Sequence, residues 1–415
     1  MSYQRLQTPR IYTCNIQYLL SVGKMAASDI TASGLSMATG STLIEMFDMK
    51  PNNVQTIIAN GTTTAHKITF DTNISTDASQ DSNFIAILGH NLKEAGAKFQ
   101  LQTDDSSAFA SPSGSDGDLL PLTAIVNCAN QSDTDTGTNT AEALDNSETG
   151  VDVESGHGGR FSEGDFIKID DEIMYVDSVS SDTLTVDRAS TDTTAVTHNS
   201  GADIEFTGYT EPANNGWTLA SFTQATDNRY IRLIIDPNGA ANDTYSSDIK
   251  IGAIMIGEMA DVFPTSPDMN IKKQLLYEGV SVQNSIGGQT YSNASHLMKP
   301  NWGNYNPWET KTTATLNSMT TSGRMKVDMN FSYMTDTDVF LENHYDRADL
   351  GTETNLVSNL LQRTHNSHIP FIFQFDKDTA TANDSFMMCR LVKEPTFNQV
   401  ANQTWNCDVS LIEEF

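Results

Sequence analysis

The residues able to do chemistry are few and dispersed. His365 and His368, in THNSH, stand three apart, a spacing that can put two imidazoles on one helical face for a metal with a third ligand. More often such a pair in a polar turn is simply solvent-exposed. His90, in LGHN, follows an apolar run and either serves a site or caps the segment after it. Carboxylates gather at Asp104-Asp105, Asp133-x-Asp135 and Asp170-Asp171-Glu172. Loop carboxylates can hold calcium, and a pair across a cleft can hydrolyse a glycosidic bond. None of these groups has the spacing of a defined calcium loop, and in a chain with 53 acidic residues neighbours arise by chance. Cys14, Cys128, Cys389 and Cys407 share no metal-ligand spacing and read as free thiols, with Cys389 and Cys407 in strand-like runs. Nucleophile elbow, phosphate-binding loop, dinucleotide fingerprint and zinc-protease helix are all missing from the sequence. The expectation is a protein that is not an enzyme, with no catalytic residues, cofactor or metal to assign.

One aromatic group stands out. PNWGNYNPWE carries Trp302, Tyr305 and Trp308 among Pro and Asn. Such a loop can anchor a protein interface, where Trp and Tyr are favoured, stack on a sugar, or fold its rings back onto a core.

Composition narrows the class. Of 415 residues, 38% are hydrophobic and 19% charged, low for a packed globular chain, and polar turn formers fill the gap. Many short strands joined by polar turns give this profile; a helical bundle does not. The formal net charge is −29. Residues 1–260 carry 13 basic and 35 acidic side chains, and residues 261–415 carry 11 and 18, so the acid excess lies early in the chain. A surface this negative repels phosphate, which argues against nucleic acid and anionic lipid as partners. No apolar run reaches the roughly 18 residues that a membrane span needs, so no membrane insertion is expected. The first residues lack the apolar stretch of a secretory signal, which points to synthesis in a cytoplasm.

The elements follow from the pattern. Residues 1–50 read as an N-terminal strand or arm. Residues 51–126 and 207–260 read as a β-sandwich: 84–88 are continuously apolar, as in a strand buried on both faces, 98–102 alternate like a half-buried strand, and 230–235 and 249–256 are β-rich, with a Pro-Asn-Gly turn at 237–239. Residues 127–206 read as an insertion. Its first part, 127–160, has seven acidic residues and one basic residue and reads as an extended or mobile acidic linker. The rest, with Phe161, Ile167, Ile169, Ile173, Tyr175 and Val179, reads as a small β unit. Residues 259–268, with Pro264 and Pro267, read as a linker to a C-terminal β-rich domain over 261–415. That domain should hold strands at 312–316, 325–333, 371–375, 386–392 and 405–412. It should also hold two short helices, one starting at Asp336 and one over 353–363. The fold class expected is therefore mainly β: a jelly-roll sandwich with an inserted small β domain, then a β-rich domain with one or two short helices.

Several segments resemble virion proteins of tailed bacteriophages. TPRIYTCNIQYLLSVG is similar to the start of phage proteins that pair an N-terminal strand with a galactose-binding-like jelly roll. NFIAILGHNLKEAGAKFQLQ and RYIRLIIDPNG with IKIGAIMIGE resemble the two halves of that discoidin-type sandwich. GRFSEGDFIKIDDEIMYVDSVSSDTLTVDR resembles a small β unit of phage structural proteins, and MNFSYMTDTDVF, PFIFQFD and VSLIEEF look like distal-tail or baseplate modules. The resemblance implies a structural subunit located in the virion tail and acting through self-assembly. A closed homo-oligomeric ring, a hexamer among the sizes allowed, and contacts with other virion tail proteins would follow from it. Three alternatives stay open: a carbohydrate-binding module for host surface glycans, a hydrolase of host polysaccharide, and a capsid decoration protein.

Overall fold

The computed structural model describes residues 8–73, 82–107, 109, 119–190, 193–223, 229–237, 244–276, 281–292, 324–340, 355–378 and 385–414. It is mainly β, as composition requires, with antiparallel pairing throughout. In chain order the first strands are β1 (Arg10–Cys14), β2 (Ile30–Ser33), β3 (Gln55–Ile57), β4 (His66–Asp71), β5 (Phe84–His90), β6 (Ala97–Asp104), β7 (Leu119–Leu120), β8 (Thr123–Val126) and β9 (Cys128–Asn130). Helix α1 (Asn15–Ser21) follows β1, and α2 (Leu92–Ala95) joins β5 to β6, ending at Gly96 with φ +64°. The inserted unit holds β10 (Thr134–Asn139), β11 (Gly150–Asp152), β12 (Phe166–Ile169), β13 (Glu172–Ser180), β14 (Thr183–Asp187) and β15 (Asp203–Phe206). The chain then returns through β16 (Thr210–Pro212), β17 (Gly216–Ser221), β18 (Tyr230–Pro237), β19 (Ile249–Ile251) and β20 (Ala253–Ala260). The last part has β21 (Lys272–Leu276), β22 (Val282–Asn284), β23 (Thr290–Ser292), β24 (Arg324–Thr335), β25 (Phe371–Gln374), β26 (Phe386–Leu391), β27 (Thr396–Ala401) and β28 (Thr404–Glu413).

Two sheets share the first core. One has the order β2-β4-β18-β6-β16-β9; the other contributes β1-β20-β5-β17-β8. Phe70, Phe99, Leu101, Ile231, Leu233 and Ile235 of the former pack with Phe84, Ile87, Leu219 and Ile254 of the latter. The apolar run of β5 is buried at every position, as its unbroken pattern implied. The β-rich runs β18 and β20 lie in opposite sheets, which is how their apolar faces meet.

The second of these sheets does not stop at β1. That strand pairs with β20 along one edge and with β25 along the other, so the sheet continues as β1-β25-β26-β28-β24-β21, with β27 also on β28. Of the strand and arm readings of the N-terminal residues, the described ones take the strand: Ile11, Tyr12 and Cys14 of β1 are core residues, and β2 is a sandwich strand. The stretch 259–268 is not an apolar-poor linker either. Val262 and Phe263 are buried in a second core, where Phe263 stacks on Phe331 with ring centroids 4.2 Å apart. Arg10 clasps Asp261 through Nε and Nη2, at 2.6 and 3.0 Å, and Lys377 reaches the same carboxylate at 2.9 Å.

The short helix at Asp336 forms over Asp336–Val339, with Thr335 and Asp338 closing a capping box. The helix expected over 353–363 is wound as a π-helix at Val357–Gln362, with Leu356 and Leu360 in the second core. The strand expected at 312–316 and the turn residues 238 and 239 lie outside the described residues. All four cysteines are free, and Cys14, Cys389 and Cys407 are buried.

The acidic stretch 127–160 is ordered rather than extended. Its first strand, β9, belongs to the sandwich sheet, and β10 and β11 form the two edges of the inserted sheet β10-β15-β12-β13-β14-β11. Side chains replace the missing apolar burial. Thr136 Oγ1 donates to Ile204 O at 2.7 Å, Thr140 Oγ1 to Asn199 O at 3.0 Å, and Asp145 accepts the N–H groups of Ser147 and Glu148. The module's own core holds Val151, Ile167, Met174, Val176, Leu184 and Ile204. Tyr175 was grouped with these on spacing; it points out of the opposite face with Phe166, its cross-strand neighbour.

Since Phe263 joins the strands β24 and β25 in the second core, Phe263→Ala should lower the unfolding free energy by about 3–5 kcal/mol. Chemical denaturation followed by circular dichroism measures this. A loss no larger than that of an exposed substitution would show that 259–268 is a linker after all.

Candidate assembly surface

Most of the polar groups singled out in the sequence have a structural use here. His90 is fully buried and accepts the Leu92 N–H through Nδ1 at 3.2 Å, so it caps α2; burial pushes its imidazole down to about 3. His365 Nε2 lies 2.7 Å from Ser21 Oγ, and its ring is 6.4 Å from that of His368. Among the described residues no group of His, Cys, Asp and Glu could hold a metal ion.

The acidic groups are tied inward. Asp133 takes Lys168 Nζ at 2.6 Å and Thr207 Oγ1 at 2.7 Å, and Asp135 accepts the Gly137 N–H. Asp104 is buried on β6 and accepts the Ser106 N–H. Glu172 is the hub of the inserted module. Arg188 grips it in bidentate fashion at 2.6 and 2.8 Å, His198 Nε2 lies 2.9 Å away, and the Ala189 and Val196 N–H groups point at it. Burial works to raise the Glu172 carboxyl, but the hydrogen bonds from Arg188, Val196, His198 and Ala189 outweigh it and hold the group at about 2. His198 also meets Asp170 through Nδ1 at 2.7 Å, which accounts for a second carboxylate in that run.

The outward-facing residues tell more. Among the described residues the exposed large hydrophobics are Val22, Ile44, Ile58, Val196, Met269, Leu275, Val282, Ile286, Tyr291, Tyr333, Val392 and Val400; eight of these twelve lie beyond residue 268. β21 pairs with β24 alone among the described residues, leaving one edge open; Leu275 is half exposed on it, and Lys273 reaches over the Phe375 ring at 4.9 Å. β22 and β23 form a hairpin that pairs with no other described strand. Its turn closes through Ser285 N–H to Gln289 O at 2.8 Å, with Gly288 at φ +82°. Ile286 at the tip is fully exposed, with Val282 and Tyr291 more than half exposed behind it. A two-stranded hairpin alone in water is marginal.

A third exposed feature lies at the far end of the same sheet. Between the pairs Phe331–Cys407 and Met334–Trp405 the β24–β28 register slips, and Tyr333 takes φ +63°, a left-handed conformation costly for an aromatic residue. The slip turns its ring outward to 78% exposure. Nearby, Phe340 meets Trp405 edge-on at 5.0 Å and Phe397 at 5.5 Å, all three half-buried. Sequence reading missed this cluster because its members are 65 residues apart in the chain (405 less 340) and only the β24–β28–β27 pairing gathers them. The expected aromatic loop with Trp302, Tyr305 and Trp308 lies outside the described residues.

Among the described residues no helix is long and apolar enough to cross a membrane. No protein-family model matches the chain, and no curated protein matches its sequence.

The Glu172 hub gives a signed pH dependence. Its carboxyl lies below the ordinary 4.5, so its stabilisation is present above that value and is lost as pH falls toward about 2. Acid titration followed by circular dichroism should show the inserted module melting within that window. Glu172→Gln should remove that step and lower stability at neutral pH, because it leaves Arg188 without its counter-charge.

Proposed function

We propose that the chain is a structural subunit of a bacteriophage tail, at the distal tail or tail tip, acting by assembly with copies of itself and with other virion proteins rather than by catalysis. The observation that carries this reading is the asymmetry of the surface. Among the described residues, eight of the twelve exposed large apolar side chains lie beyond residue 268, beside the edge strand β21 and on the separate hairpin β22–β23. A chain that expected no partner would blunt such edges, and an unsupported apolar hairpin gains stability once another chain covers it. The likeness of the quoted segments to virion proteins supplies the setting. A head-to-tail contact of this kind closes into a ring when its rotation permits.

Size-exclusion chromatography with light scattering tests the reading. A discrete oligomer, a whole multiple of 45.4 kDa, is expected. The double substitution Ile286→Asp and Tyr291→Ser should shift it toward monomer without altering the circular dichroism spectrum. A wild-type monomer at every concentration, or the chain's absence from purified virions, would sink the proposal.

A further inference from the structure

The strand β6 alternates, and alternation predicts a wet outer face. Instead Lys98, Gln100 and Gln102 lie buried beneath the inserted module, where Gln102 Nε2 donates to Gly164 O at 2.7 Å. Lys98 is only 1% exposed. A lysine so deep is rare, because burial penalises its charge.

Register sets what this lysine meets. Directly opposite it, on the neighbouring strand β18, stands Asp236. Residues directly opposite in an antiparallel pair share a face, with Cβ atoms about 4.5–5.5 Å apart, a gap that the flexible stem of lysine spans. Lys98 Nζ lies over two rings on the segment that leaves the module, 4.1 Å from the Tyr209 centroid and 5.4 Å from that of Phe206. Tyr209 OH donates to Asp236 Oδ2 at 3.2 Å. One buried tyrosine therefore touches both partners, its face under the amine and its hydroxyl on the carboxyl. A second carboxyl, Asp165, comes from the module's turn before β12. It is buried, its Oδ2 accepts the Ser162 N–H at 2.7 Å, and its charge is felt by both Lys98 and Asp236. Lys67 on β4 is the contrast: by register it faces Ile234, and its Nζ donates to Glu163 O at 2.5 Å.

We propose that Lys98 and Asp236 are joined by an intramolecular isopeptide bond, formed once the folded module covers them. The neutral Lys98 amine attacks Asp236 Cγ, so that a C–N bond forms and one carboxyl C–O bond breaks. The departing hydroxyl takes a proton from Asp165 and leaves as water, and Asp165 recovers a proton from the amine nitrogen. One amine and one carboxylic acid give one amide and one water, with no oxidant or cofactor. Exclusion of water favours the neutral, reactive forms of both groups over the ion pair. Strand pairing holds them together, and well-oriented intramolecular partners reach effective molarities of about 10⁵–10⁸ M. Burial pushes Asp236 up to about 6, and burial, then repulsion from Asp236, pushes Asp165 up to about 7, so both carboxyls hold protons well above the ordinary 3.8. The bond encloses residues 98–236, and the inserted module with them, in one covalent loop. Tension between the two ends of the chain then bypasses the module.

Intact-mass spectrometry of the full chain under denaturing conditions reads the bond directly. The wild type should weigh less than its sequence by one water molecule. A tryptic digest should hold the Lys98 and Asp236 peptides as one branched species. Lys98→Arg and Asp236→Ala should each restore the full sequence mass, while Lys67→Arg keeps the deficit. Asp165→Asn should leave freshly purified, folded protein predominantly at full mass; an undiminished deficit there overturns the proton relay assigned to Asp165. A folded wild type at full sequence mass, with the two peptides separate, overturns the proposal and leaves an ordinary buried charge pair. So does a deficit that survives Lys98→Arg, which puts the loss of water elsewhere in the chain.

Discussion

The architecture turns on one strand with both edges occupied. β1 is paired to β20 on one side and to β25 on the other, so five residues join the sandwich to the C-terminal sheet through backbone hydrogen bonds. The period of two does the rest. Ile11 points into the second core, while Tyr12 and Cys14 point into the first, because successive side chains leave a strand on opposite faces. One short strand therefore closes two cores. The clasp of Arg10 and Lys377 on Asp261 fixes its register at the seam, and Arg363, buried between Asn15 and Glu258, ties the π-helical turn to the same place.

Around that seam the chain divides its labour by how it treats polar groups. The inserted module is acidic and poor in apolar residues, yet it folds because threonine hydroxyls, Asx-type turns and the Glu172–Arg188–His198 network satisfy what burial alone would not. It then rests on a sandwich face that is itself polar. Its contacts there are hydrogen bonds from Lys67 and Gln102 to its backbone carbonyls, beside a small apolar cluster of Leu119, Phe166 and Tyr175. The C-terminal part shows the opposite economy: its interior is dense with Phe and Met, and apolar side chains also remain outside, on edges, a hairpin tip and a strained bulge.

Much of the fold was legible in residue order. The unbroken apolar run of β5, the glycine that ends α2, the capping residues before Asp336 and the alternation of β12 to β14 each depend on neighbours within a few positions, and each took the form the pattern implied. The use of His90 as a cap was legible for the same reason. Three readings failed for want of partners far away in the chain. Residues 127–160 looked unable to order because their stabilising acceptors, such as Ile204 O and Asn199 O, come some 60 residues later. β6 looked half-exposed because nothing in its own sequence announces the module that covers it. Residues 259–268 looked like a linker because two prolines mask the burial of Val262 and Phe263.

By itself, then, the sequence determined the β class, the short helices, the strand faces and the lack of any clustered catalytic motif, since these rest on local periodicity, turn chemistry and composition. Tertiary structure alone decided that the first strand lies in the middle of the largest sheet, that the polar face of β6 is buried, and that Tyr333 and the Phe340–Phe397–Trp405 group stand at one end. The physical reason is that antiparallel pairing brings residues together by register, and register between strands hundreds of residues apart is set by which faces must be buried, a property of the whole assembly of strands rather than of any one of them.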